Sequence, residues 1–355
     1  MNVSFSHACL TTWLFFFFCS TTAMAGFTVG HQATDLDDIP AEWLAAAKSQ
    51  LHIAYQHTSH GSQLITGMNA LKDFPTFGDT YAWIDSSQGN TEVLSIDDHG
   101  IPGAPDLSQG DVLTPPNNIA KWAQATYDFL QNPANAHVNV IMWSWCNIAG
   151  HDIDLYLDSM EWLIARFGQG GTEPRAAITP VQFVFMTAHA NGGGENDSSD
   201  APNNQIRQHC LTADRILFDF ADIENYDPDN NYFLDKLLQD DLDYDSDNSG
   251  SVDANWAQEY LQRHPGEELT LLTKGSNGYS GCDHCAHSDG PNNDARLNCV
   301  LKGRAAWHLF ARLAGWNPDD PVIPPDDPDP EPETPVDPAR KKITGTGARF
   351  LLLKP

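Results

Sequence analysis

The chain has 355 residues, 41% hydrophobic and 19% charged, and its 19 Lys+Arg against 48 Asp+Glu give a formal net charge of −29. Ten Trp, nine Tyr and seventeen Phe can anchor a core, so the composition excludes wholesale disorder and suits one large domain or two small ones. So negative a field repels phosphate backbones and anionic lipid, which argues against nucleic acid and membrane surfaces as partners.

At the start, an apolar stretch from Leu10 through Phe18 is followed by Ala23-Met24-Ala25, a small-x-small cleavage pattern. This predicts a signal peptide over 1–25, a mature chain from Gly26, and a secreted or periplasmic protein. The apolar run is too short to span a bilayer comfortably, and no later segment is apolar enough for membrane insertion. Five cysteines remain beyond it: Cys146, Cys210, Cys282, Cys285 and Cys299. In an oxidising compartment that number allows two disulfides and one thiol, with the pairing open.

Short apolar runs at Leu51 to Tyr55, Val138 to Trp143, Val181 to Met186 and Ile216 to Phe220 predict strands. Between them, Ile153, Leu157, Met160, Ile164 and Phe167 stripe one face of a helix. Trp122, Ala125 and Phe129 stripe another after Pro115-Pro116. Ala306, Leu309 and Leu313 predict a last helix that Gly315 stops. Strands alternating with helices predict an α/β domain with a mostly parallel sheet covered on both faces, whose ligand site lies beyond the carboxyl ends of the strands. This domain is expected over 26–316. A Pro/Asp-rich linker over 317–338 and a short basic and apolar tail over 339–355 follow it.

Within the domain, an acidic insertion at about 240–256 contains Asp245-Ser246-Asp247-Asn248-Ser249-Gly250-Ser251-Val252-Asp253. Asp245, Asp247, Ser249 and Asp253 occupy positions 1, 3, 5 and 9 of an EF-hand-like loop, with Gly at 6. Position 12 is Trp256 instead of Glu, so Asp243 or Glu259 would have to complete a structural calcium site. The alternative is a solvated acidic loop.

The first strong strand runs into Gln56-His57-Thr58-Ser59-His60-Gly61-Ser62 and then a helix-like segment. A serine at such a junction sits where backbone N–H groups and the helix dipole favour a developing oxyanion; the competing reading is an ordinary helix cap. Asp97-Asp98-His99-Gly100-Ile101-Pro102-Gly103 adds a glycine N–H, and Trp143-Ser144-Trp145-Cys146-Asn147 adds an amide side chain, both oxyanion-hole donor types. Cys282-Asp283-His284-Cys285-Ala286-His287-Ser288, before the last helix, supplies histidines for a general base.

In order along the chain, Ser59, Gly103, Asn147 and His287 resemble the catalytic set of the SGNH hydrolases, the superfamily that includes GDSL esterases. The resemblance covers roughly Leu51 to Trp316. It implies a flavodoxin-like three-layer fold and ester hydrolysis through an acyl-enzyme, with Ser59 as nucleophile and His287 as base. The Ser59 and Gly103 amides and the Asn147 side chain would hold the oxyanion, and no cofactor is required. His57-Thr58 replaces the usual Gly-Asp before the serine. The acid position three before the histidine is His284, so the third member is either Asp283, four before, or absent, with a dyad operating. His284 is the second choice of base.

Two other readings compete. A metal-dependent hydrolase could use Cys282, His284, Cys285 and His287, with His57, His60, His99, His151 and His189 near strand ends or loops. A non-catalytic, calcium-dependent carbohydrate-binding protein could use the acidic loop and the aromatic supply, although Trp122 and Trp162 at helical spacing suit a core. For the esterase, export, the acidic surface and the superfamily resemblance together imply an acylated extracellular polysaccharide, with acetyl among the candidate acyl groups. The loops Thr187 to Gly194 and Asp197 to Asn203 would shape its cleft.

Overall fold

The computed structural model describes residues 25–319, except 87, 89–91 and 277. Residues 1–24 of the expected signal peptide, almost all of the expected linker and the whole tail lie outside the described residues. The compact unit closes at Trp316.

Its elements follow in chain order: β1 (Thr28–Val29), α1 (Ala41–Gln50), β2 (His52–Gln56), α2 (Ser62–Asp73), β3 (Trp83–Asp85), β4 (Leu94–Asp98), α3 (Lys121–Gln131), β5 (Val140–Trp143) and α4 (Ile153–Phe167). The second half continues with β6 (Gln182–Met186), α5 (Asp200–Ala213), β7 (Ile216–Phe218), α6 (Phe220–Asn225), β8 (Asp243–Tyr244), β9 (Ala254–Asn255), α7 (Trp256–Arg263), α8 (Glu268–Lys274) and α9 (Leu297–Leu313). Seven strands form one sheet in the order β1-β7-β6-β5-β2-β4-β3, and every adjacent pair is parallel. The expected α/β class and flavodoxin-like layering are therefore those of the chain.

Period-two alternation divides the strands between two cores. Ile53, Tyr55, Val140, Met142, Val184 and Met186 face a layer containing α1, α2 and α9. Ala54, Ile141, Trp143, Phe183 and Phe185 face α3, α4 and α5. Strands β2, β5, β6 and β7 are covered on both faces, which is why each reads as a short apolar run. β1, β3 and β4 escape that pattern because two are only two or three residues long and β4 ends in Asp97-Asp98.

Helix α9 differs from its expected one-sided stripe. It is buried nearly all round, Lys302, Arg304 and His308 included, because α1, α2 and α8 pack about it. The α2–α9 approach is backbone to backbone: a Cβ on Gly67 would stand 1.8 Å from the Cys299 carbonyl oxygen, and one on Gly303 would stand 2.3 Å from the Gly67 carbonyl carbon. The acidic insertion is a loop between the antiparallel strands β8 and β9.

Candidate active site

From β2 the chain travels to β3 and β4 on one side of the sheet and then returns to β5 on the other, so the switch in strand order lies at β2 and β5. Ligand crevices of open parallel sheets form beyond the carboxyl ends at such a switch. Here the segment after β2 carries His57, Ser59 and His60, that after β5 carries Cys146 and Asn147, and that after β6 carries His189.

The Ser59 turn is held by bonds within it and by one to the loop after β4. Thr58 Oγ1 donates to Asp106, the Ser62 amide donates to the Thr58 and Ser59 carbonyls, and Ser62 Oγ donates to the Ser59 carbonyl at 2.6 Å. Gly61 admits this packing, since a Cβ there would lie 2.1 Å from Ser144 Oγ and 2.3 Å from His57 Cβ. The Ser59 side chain does not cap α2, whose N-cap is Gly61. Its Oγ instead lies 2.9 Å from His287 Nε2 and 3.5 Å from Cys146 Sγ. Among the described residues the Ser59 amide donates to no protein group.

His287 sits in the loop between α8 and α9 at φ 62°, the left-handed region. Its ring stacks on His60 with centroids 4.1 Å apart, and His60 stacks in turn on His189 at 3.8 Å. His189 lies between the Cys146 carbonyl (Nε2, 3.0 Å) and the Ala190 carbonyl (Nδ1, 2.6 Å). His60 Nε2 is 2.9 Å from Asp240 Oδ2, while its Nδ1 faces Cys146 Sγ at 3.9 Å. Burial holds His60 below the ordinary imidazole range, with the Asp240 bond opposing and the neighbouring histidines reinforcing it. Burial raises the Asp240 carboxyl, but the His60 bond and the surrounding histidines outweigh it and bring the group below its usual value.

Beneath the stack lies a polar network on α9. Lys302 and Glu224, both fully buried, pair at 2.5 Å. Burial pulls the Lys302 ammonium down to about 8 against the attraction of Glu224. Lys302 also donates to Gln63, whose Nε2 donates to the Ala286 carbonyl at 2.5 Å, one residue before His287. Glu224 Oε2 accepts from the Ala190 amide at 2.7 Å, one residue after His189. Asn298 Nδ2 reaches Glu224, the Asp240 carbonyl and Ser288 Oγ. One buried cluster thus touches the segments bearing His189, Asp240 and His287.

The other expected site residues are dispersed. Gly103 forms no hydrogen bond with Ser59 or His287 among the described residues. Gly103 lines a surface groove with Pro102, Lys121 and Gln124, and a Cβ there would meet Ala125 of α3 at 3.0 Å. Asn147 Oδ1 accepts from the Ala149 amide at 3.0 Å, leaving its Nδ2 without a protein acceptor among those residues. Asp283 is exposed and forms no hydrogen bond with His287; Asp240 instead is the carboxylate grouped with His60 and His287, their ligand-type atoms all within 4.8 Å. His284 is turned to Asp289 and away from the serine.

The expected Cys/His metal quartet is not assembled. Cys285 is disulfide-bonded to Cys299, Cys282 is a buried thiol pushed up to about 12 by desolvation, and His284 is exposed. Among the described residues this is the one disulfide, and Cys146, Cys210 and Cys282 are free. His57 is buried against Asp98 at 2.6 Å, with His99 4.2 Å away by centroid, while His151 pairs with Asp111 near the surface. Asp245, Asp247 and Asp253 do converge within 4.8 Å. Their oxygens accept from the Ser246, Ser249 and Gly250 amides, and Ser249 Oγ is turned to the Ser251 carbonyl. Trp256 at position 12 is wholly buried and donates to the Glu224 carbonyl, so it is core, while Asp243 and Glu259 accept from Asn255 and Tyr244.

Compared with family models, curated proteins and solved structures, the chain matches none. Sequence reasoning missed Asp240 as a site group, since it lies in an acidic run with nothing to single it out, and treated His60 and Cys146 only as a scattered histidine and a candidate disulfide thiol.

Proposed function

We propose that the protein is an exported serine ester hydrolase of the SGNH type, removing acyl groups such as acetyl from a carbohydrate through an acyl-enzyme. The observation that carries this reading is the 2.9 Å approach of Ser59 Oγ to His287 Nε2 across 228 residues of sequence, at the switch point of the sheet. In this scheme His287 takes the Ser59 proton as the oxygen attacks the ester carbonyl, and returns it to the leaving alcohol. The free Ser59 amide is the first oxyanion donor, and Asn147 Nδ2 is a second that substrate binding would have to bring in. Asp240 replaces Asp283 as the carboxylate that biases the imidazole stack. The carbohydrate and the acyl group rest on the expected export and on the superfamily resemblance.

The convergence of His60, Asp240 and His287 supports a second reading, a metal-dependent hydrolase. Labelling with a fluorophosphonate probe separates the two. The serine reading expects wild-type labelling that survives chelator and disappears in Ser59→Ala and in His287→Ala. Ester hydrolysis abolished by chelator, with no labelling of the intact protein, would replace it with the metal reading.

A further inference from the structure

We propose that Cys146 is a second nucleophile of this cleft, with His60 as its general base and Asp240 as the group that orients that base. The proposal rests on the ester-hydrolase reading of the site but uses different atoms. Cys146 Sγ, His60 Nδ1 and Nε2, and Asp240 Oδ2 stand in line, with 3.9 Å from sulfur to nitrogen and 2.9 Å from nitrogen to oxygen. Nucleophile, imidazole and orienting carboxylate in that sequence are the parts of a thiol triad, whatever fold presents them. The Asp240 carboxylate accepts the Nε2 proton, which leaves the Nδ1 lone pair facing the thiol.

Three further observations separate Cys146 from a structural cysteine. It is partly exposed at the carboxyl end of β5, whereas the free Cys210 and Cys282 are buried. Its sulfur is 3.5 Å from Ser59 Oγ, so an acyl carbonyl within reach of the serine is also within reach of the thiol. Its own carbonyl is bonded by His189, the outer ring of the stack, which ties the thiol-bearing segment to the base.

The chemistry balances without an added redox reagent. The Cys146 proton passes to His60 Nδ1 as sulfur bonds to the acyl carbon. The carbon–oxygen bond of the ester then breaks, and the alcohol leaves with that proton. Water attacks the resulting thioester, the carbon–sulfur bond breaks, and the carboxylic acid and the thiol are regenerated.

The test uses Ser59→Ala in the otherwise intact chain, treated with p-nitrophenyl acetate in buffer containing chelator, then acid-quenched and mapped by mass. The expected result is one acetyl group on Cys146, released by neutral hydroxylamine, with Cys210 and Cys282 unmodified. Adding His60→Gln should slow that acetylation at least about a hundredfold, the low end for loss of a general base, and Asp240→Asn should slow it in the same direction. Near-ultraviolet circular dichroism verifies each fold, and Asp240→Asn carries the test if His60→Gln does not fold. Acetylation absent from Cys146, or equally fast without the base, overturns the inference. Fluorophosphonate labelling of wild type reports the serine reading separately: a labelled Ser59 beside an inert Cys146 defeats only the thiol proposal, and acetyl-Cys146 without serine labelling defeats only the serine one.

Discussion

The two halves of the Ser59–His287 pair are held in different ways. Ser59 lies three residues beyond the end of a central strand, and bonds from Thr58 and Ser62 complete its turn. His287 lies in a long loop outside regular structure. A disulfide, an Asp289 carboxylate shared between Arg296 and the Cys285 amide, and the Gln63 bond to Ala286 hold it there. A nucleophile at a strand end inherits its place from the sheet, while a base in a loop must be pinned by a cross-link and side-chain bonds, here both within the loop and from the distant Gln63.

The comparison predicts that damage to the tertiary anchors costs more than damage to the local turn. The largest effect is expected from Lys302→Met, which leaves Glu224 buried without its cation and should destabilise the protein by about 3–5 kcal/mol. Chemical denaturation reads that loss, and replacing Glu224 by Gln as well should recover part of it; a single variant as stable as wild type would refute the anchor. Next, Cys285→Ser with Cys299→Ser opens a bridge of sequence separation 14. That should cost about 3 kcal/mol and lower fluorophosphonate labelling beyond what the unfolded fraction explains, as a loosened His287 loop requires.

Acid should act through the same side. His60 is held below 6.5 by burial, so the unfolded chain binds its proton first and stability falls as pH drops below 6.5. Asp240 is held below 3.8, where its His60 bond outweighs the effect of burial, so its contribution persists above 3.8 and is lost as pH falls through its folded value. Melts at successive pH values should show an acid-side slope below about pH 6.5 that His60→Gln flattens. An unchanged slope would remove the stack from the explanation. On the serine side, Thr58→Val should cost about 1.5–3 kcal/mol, because it removes one hydrogen bond to a carboxylate. The smallest effect belongs to the acidic hairpin: calcium should raise the melting temperature slightly and leave labelling unchanged, and Asp245→Asn should abolish the rise. A calcium-insensitive melt would leave that loop as a solvated turn.

How far each part was legible follows from its range of interaction. The strands β2, β5, β6 and β7 were readable because burial on both faces makes them short apolar runs, whereas β1 and β3 are too short to carry a pattern. The Ser59 position and the helix α4 stripe were readable for the same local reason. A glycine in a loop after β4, such as Gly103, carries no sign in the sequence of where that loop folds; it packs against α3. Asp283 was chosen by proximity along the chain, which says little about proximity in space inside an irregular loop.

By itself the sequence determined the α/β class and the junction that presents Ser59, since strand burial and helix periodicity are written locally; the approach of that serine to His287, 228 residues away, is a tertiary contact. Only the tertiary structure decided that Cys285 bonds Cys299, that Asp240 and not Asp283 joins the histidines, and that Cys146 faces His60. Those choices depend on contacts between residues 14 to 180 positions apart, where spacing along the chain carries little information about distance.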